Sequence, residues 1–183
     1  MLCLLPAKDF YLHILSFMFS YLQTFYDTVA LNKARLWRFL AKLEQNAPPL
    51  LDTYTDRIDK EVWTEINCLS CANCCRTMSP TYTVQDLKRI ATHLRMSVPA
   101  FKEKWLYKNK DGNWMNRLQP CQFLDLHTNK CSIYAIRPED CAGFPHLAKK
   151  KMVEYMHVHK QNIAFCPATY RMVEKLMQLT ERL

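Results

Sequence analysis

Four cysteines stand within eight consecutive positions, Cys68, Cys71, Cys74 and Cys75 of the stretch NCLSCANCCR. A free cysteine is ordinarily a small buried hydrophobe, and no hydrophobic core needs four of them so close together. The spacing therefore predicts a loop organised around something that the sulfurs hold. Adjacent cysteines such as Cys74 and Cys75 also pair poorly with each other, because the short link strains disulfide geometry. In a chain with no convincing export signal, clustered thiols point to metal.

Four more cysteines follow singly: Cys121 in QPCQFLD, Cys131 in NKCSIY, Cys141 in RPEDCAGFP and Cys166 in AFCPAT. Each falls at a turn or at the end of an element, where a side chain can turn toward a common centre. With the first four they make eight thiols, and Cys3 stands apart near the start of the chain. Eight is the number required by two four-ligand sites of zinc or iron–sulfur type.

Composition removes other chemistries. The only glycines are Gly112 and Gly143, too few for a Rossmann fingerprint or a P-loop, which need glycine for close approach to phosphate. The net charge is +8, but apart from Lys149–Lys151 the basic residues are scattered. No basic stripe interleaved with aromatics is present, so nucleic acid is not an expected partner. The opening MLCLLPAKDFYLHILSFMFSYL is apolar but interrupted by Pro6, Lys8, Asp9 and His13. It fits neither a secretory signal nor the run of roughly 18–20 apolar residues that spans a membrane. The expectation is a cytoplasmic chain of one domain, or of one domain with a helical annex, in which residues 1–17 are an extension whose presence in the mature chain stays open.

Helical spacing of Leu22, Phe25, Val29, Leu36, Leu40 and Leu43 predicts a helix over 20–46, ended by APP at 47–49. A second helix over 50–66 carries Leu51, Tyr54, Ile58, Val62 and Ile66, and the short link makes the pair a hairpin. After the cysteine loop, Thr83 with Asp86 resembles a capping box ahead of an apolar face made by Val84, Leu87, Ile90, Ala91 and Leu94. Ser97 and Pro99 start a short helix through Trp105, and Asp111–Gly112 centres a hairpin over 107–118. Residues 121–134 read as two short strands around a polar turn, and Pro167 opens a last helix bearing Met172, Val173, Leu176, Leu179 and Leu183. The fold class is α+β and mostly helical. It comprises a helical hairpin (18–66) and a loop-rich cysteine-cluster region with short β-hairpins and a C-terminal helix (67–183).

The blocks CLSCANCC, PCQFL, CSIYAIRP and CAGFP, in that order, resemble the bacterial cysteine-cluster family named for its CxxCxxCC motif (YkgJ-like), described as zinc- or iron-chelating. The similar core spans roughly residues 67–145, with Cys166 as a late member, and residues 1–66 lie outside it. The resemblance implies a metal or iron–sulfur centre. In a relative type, flagellin lysine N-methylase, the motif is associated with an iron–sulfur cluster. Methylation does not carry over, because no S-adenosylmethionine-binding motif is present.

Cysteines at two-residue intervals, as at 68, 71 and 74, resemble the run that wraps a [4Fe–4S] cluster, with a distant fourth ligand from Cys121, Cys131, Cys141 or Cys166. The isolated downstream cysteines suit zinc, or a mononuclear iron, with mixed ligands. Cys75 either joins a different site from Cys74 or is a free thiol whose thiolate Arg76 stabilises. His146 is a candidate to hydrogen-bond a cysteine sulfur. His157 and His159, at strand period, are expected on one side of a strand, and His127 in a solvated turn. Pro138 is expected to start a helical turn aiming Cys141 inward, with Arg137 pairing a carboxylate or offsetting thiolate charge. No catalytic constellation stands out, so no enzymatic activity is assigned. Two functions are in view: a metalloprotein whose cluster does redox, sensing or accessory work, and a module stapled by zinc or iron that binds a protein partner.

Overall fold

The computed structural model describes residues 7–146 and 151–181, excluding the side chains of residues 7–20 and of Ser70. Cys3, most of the lysine run at 149–151 and Leu183 therefore lie outside the described residues. Helix α1 (Ala7–Gln45) and helix α2 (Leu51–Glu65) form the expected hairpin, with the Leu51 amide donating to the Pro48 carbonyl at 3.0 Å. α1 begins well before the expected start near Ser20, so residues 7–17 continue the same helix.

The stripe Phe25, Val29, Leu36, Leu40 and Leu43 is buried, and Ile58 and Val62 of α2 face it. Two C-terminal helices, α8 (Met156–Asn162) and α9 (Pro167–Thr180), complete this core with Met156, Met172, Val173 and Leu176. Periodicity thus locates the buried faces, while removal of apolar area from water holds them together. On the outside, Lys175 and Arg171 of α9 meet Glu65 of α2 at 2.7 and 3.0 Å, exposed pairs that contribute little.

A second, smaller core lies against a three-stranded antiparallel sheet of order β1–β3–β2, formed by β1 (Thr81–Tyr82), β2 (Leu106–Lys108) and β3 (Trp114–Asn116). The β2–β3 hairpin turns at Asp111–Gly112, where Gly112 has φ +84°, a conformation that favours glycine. Between β1 and β2 run α5 (Val84–His93) and α6 (Val98–Trp105), N-capped by Thr83 and Ser97 as expected. Tyr82, Leu87, Ile90, Phe101, Leu106, Phe123 and Ile133 pack together here. Val84 departs from expectation: it is 63% exposed, at the first position of α5.

Asp86 is fully buried and fully partnered. Its Oδ2 accepts from the Thr83 amide and hydroxyl at 3.0 and 2.8 Å, closing the capping box. Its Oδ1 accepts from Arg89 at 2.6 Å and from the amide of Glu139 at 3.1 Å, the first residue of α7 (Glu139–Gly143). One carboxylate therefore starts α5 and seats the short helix that carries Cys141.

Two expectations fail. The strand pair over 121–134 is reduced to one isolated bridge, Leu124–Cys131. Asp125 accepts from the His127 amide and the Thr128 hydroxyl, both at 2.8 Å, and these local bonds satisfy the turn without a ladder. His157 and His159 lie in α8, not in a strand, and residues two apart point to opposite sides of a helix. Accordingly His157 is exposed and His159 is buried. Among the described residues no helix is long and apolar enough to cross a membrane.

Thr83→Ala removes one cap and is expected to cost about 1 kcal/mol in urea unfolding. Asp86→Ala strands the Glu139 amide and Arg89 as well and is expected to cost about 3 kcal/mol. Equal losses for the two variants would show that Asp86 does not anchor α7.

Candidate metal centre

The cysteine loop folds as two single-turn helices, α3 (Cys68–Cys71) and α4 (Asn73–Thr77), with Ala72 between them at φ 47°. Asn67 caps α3, its side-chain oxygen accepting from the Leu69 amide at 2.9 Å. The left-handed residue reverses the path, so that Cys68 and Cys74 come together across the turn. Asn73 locks the loop onto the helical core: it accepts from the Tyr26 hydroxyl of α1 at 2.9 Å and donates to the Phe165 carbonyl at 2.7 Å. That second bond brings the residue before Cys166 to the cysteine loop.

Cys68, Cys71, Cys74 and Cys166 line one small recess, about 20 Å³, with Ile66 and Phe144 also on its walls. Cys166 N-caps α9, its sulfur accepting from the Thr169 amide at 3.5 Å, and Pro167 takes the first helical position. Burial pushes the Cys166 thiol up, and pushes Cys71 up to about 11. Tyr21 of α1 stands beside the same thiols, its hydroxyl pushed up to about 12 by burial and then by Cys71 and Cys166.

Cys75, Cys121, Cys131 and Cys141 line a larger cleft of about 700 Å³, which Cys68 and Cys74 also border. The Cys121 amide donates to the Cys75 carbonyl at 2.8 Å, which fixes the loop against the second core. Cys131 sits at the single bridge after the Asp125 turn, and Cys141 sits on α7. Burial raises the Cys141 thiol first and the neighbouring Cys75 raises it further; Cys121 and Cys131 are also raised, burial again being the main cause. The Cys74 and Cys75 sulfurs are 4.0 Å apart, so the dipeptide stands where the recess and the cleft adjoin. Hydrogen bonding among Cys68, Cys74 and Cys75 raises the Cys74 thiol and lowers the other two, Cys68 to about 7.

All eight thiols of the described residues are free, with no disulfide among them. They surround the recess and the cleft rather than meeting at a point: among the described residues no three His, Cys, Asp or Glu side chains are already closed into the geometry of an ion's ligand set. The donor chemistry, eight thiols and no competing disulfide, fits a thiophilic metal.

Other candidates are placed differently from expectation. His146 borders the cleft, but its Nε2 lies 3.2 Å from Asp140 Oδ1, so its partner is a carboxylate, not a sulfur. Asp140 in turn accepts from the Thr81 amide and hydroxyl at 2.9 and 3.0 Å. Arg137 pairs no carboxylate among its hydrogen bonds: it stacks 3.9 Å from the Tyr134 ring and donates to the Tyr134 carbonyl at 2.6 Å. From there its charge lowers the Cys68 and Cys131 thiols. Pro138 does precede the helical turn carrying Cys141. Arg76, which also lowers Cys75, donates to Asn129 at 2.6 Å. Buried His159 is pushed down to about 4 by burial, then by His146 and His157. It belongs to neither group of thiols.

Sequence reasoning missed Asn73, Tyr26 and Asp140, whose partners lie 47 to 92 residues away. Only Asn73 carried a signal, its position inside the cysteine motif.

A family model described as "Putative zinc- or iron-chelating domain", CxxCxxCC, matches residues 67–163, more than half of the chain. The chain belongs to the CxxCxxCC family. The match takes in seven of the eight described cysteines and ends just before Cys166. An uncharacterized protein of the archaeon Methanocaldococcus jannaschii is similar, 30% identical over 107 residues, covering 57% of this chain and 54% of the relative. The chain thus spans about half the length of the curated relative it matches. No solved structure matches. Chelation of zinc or iron is the property that membership of the CxxCxxCC family carries, and the thiols just described are the groups present for it.

In metal-free protein, alkylation by iodoacetamide is expected to reach Cys68 first. It is exposed, and its thiolate fraction grows as the pH rises through about 7. Cys141 and Cys166, buried upward in pKa, are expected to label last. Peptide mass mapping showing equal rates for Cys68 and Cys141 near neutral pH would contradict this electrostatic picture.

Proposed function

We propose that the chain is an iron–sulfur protein of the CxxCxxCC family, with Cys68, Cys71, Cys74 and Cys166 holding a [4Fe–4S] cluster for a redox, sensing or accessory role. What supports this is that these four sulfurs line one recess; at about 20 Å³ it has room for a water or two, so the loop must open to admit the cluster. Three come from the two-residue spacing that wraps such clusters, and the fourth is a distant cysteine followed by proline, as in bacterial ferredoxins. When bound, the cluster would supply one-electron chemistry. The residues of the chain orient the sulfurs: Asn73 fixes the loop, Thr169 donates to the Cys166 sulfur, and Ile66 and Phe144 give the recess apolar walls. A reducing compartment such as the cytoplasm suits eight unpaired thiols.

A structural zinc in the same recess is the second reading, and one observation favours it. Cys166 begins α9 while Cys68–Cys74 belong to the loop between the two cores, so metal here would tie the loop to the helical bundle.

Anaerobically purified protein is expected to be brown, with visible charge-transfer absorption, acid-labile sulfide and iron. Cys71→Ser and Cys166→Ser are expected to lose most of that absorption. A colourless protein carrying stoichiometric zinc in this recess would replace the cluster with the structural ion. A chromophore that is reduced and reoxidised reversibly supports the redox role over the staple.

A further inference from the structure

The walls of the larger cleft carry three large apolar side chains that the fold leaves partly in water: Trp63 of α2, Leu69 of α3 and Tyr134, at 38, 37 and 40% exposure. Single exposed apolar residues are ordinary. Three from separate segments on one cleft of about 700 Å³ make a concave apolar surface of the size that holds a small molecule.

Arg137 lines the same cleft and is half-buried. Its guanidinium lies 3.9 Å from the Tyr134 ring, and Nη1 donates to the Tyr134 carbonyl at 2.6 Å. These contacts fix the plane of the group and leave Nε and Nη2 without a hydrogen-bond partner among the described residues. Every carboxylate on the cleft walls is engaged elsewhere. Asp59 accepts from the Trp63 indole at 2.9 Å, Glu65 pairs with Arg171 and Lys175, and Asp140 accepts from Thr81 and faces His146. Arg137 reaches the Cys68 and Cys131 thiols through its charge alone. Among the described residues, the cleft therefore presents a fixed cation whose open donor edge meets no acid.

The geometry points to a binding site for a small organic carboxylate with an apolar body. The carboxylate takes the open edge of Arg137 in charge-assisted hydrogen bonds, and the body displaces water from Trp63, Leu69 and Tyr134. A lone cation in an apolar cleft suits a monoanion better than a phosphate dianion, whose second charge would be desolvated without a partner. A guanidinium already held flat on a ring loses little freedom when it binds. These groups are in place whatever the sulfurs hold, so the site does not depend on the cluster. Cys68 and Cys74 border both the recess and the cleft, so the bound molecule lies beside the proposed cluster. Only a role as reactant or effector of that cluster would rest on the proposed function.

The test is isothermal titration of the full chain, purified anaerobically, with phenylacetate, 3-phenylpropionate and hexanoate, each set against its neutral primary amide. At least one acid is expected to bind once per chain, and its amide about tenfold or more weaker. Arg137→Met is expected to bring the acid down to the level of the amide. Arg38→Met, which removes the same charge from the exposed face of α1, is expected to change neither. Trp63→Ala is expected to weaken acid and amide alike. Binding of no acid, equal affinity for acid and amide in the wild-type chain, or a folded Arg137→Met that keeps the wild-type affinity overturns the site. Brown protein that fails these tests overturns the carboxylate site and leaves the cluster standing. Colourless protein that passes them contradicts the cluster and supports the site.

Discussion

Asn73 accepts from Tyr26 in the first helix and donates to the Phe165 carbonyl, and two residues later the Cys75 carbonyl accepts from the Cys121 amide. These bonds put the cysteine loop between two hydrophobic cores that are otherwise built separately, one from α1, α2, α8 and α9, the other from the small sheet with α5 and α6. The loop has little apolar area of its own, and its helices are one turn each. Its conformation is therefore set by polar contacts at both ends and by whatever the sulfurs bind. Structural metal can supply folding free energy to a segment of this kind.

The division of the thiols follows from that position. Cys71 lies on the side of Phe165 and Cys166, Cys75 lies on the side of Cys121, Cys131 and Cys141, and Cys68 and Cys74 border both. Consecutive residues on a helical turn start in different directions, yet the Cys74 and Cys75 sulfurs stand 4.0 Å apart. Hydrogen bonding among these three thiols raises Cys74 and lowers Cys68 and Cys75.

Much of this was legible in the sequence where the signal is local. The stripe from Phe25 to Leu43, the Thr83–Asp86 capping box, the Asp111–Gly112 turn and the Pro167 helix start are all read within a few residues, and all are present. Failures came where a local pattern was ambiguous. The spacing of His157 and His159 fits a strand, but the segment packs against α1 as a helix with Met156 and His159 inward. The stretch 121–134 has strand-like residues, yet Asp125 closes the turn with its own side chain. Arg137 was expected to seek a carboxylate, and a tyrosine ring with its carbonyl is nearer. The eight cysteines were legible as a set. Their grouping was not, because it depends on Asn73, Asp86 and the Cys75 carbonyl meeting partners 46 to 92 residues away.

The cluster proposed for the cysteine loop is a claim that a single mass can decide. Native mass spectrometry of the intact chain, prepared and sprayed without air, should give a dominant species carrying one four-iron, four-sulfide cluster. A dominant species with a single ion and no sulfide, or with no metal at all, would contradict the account.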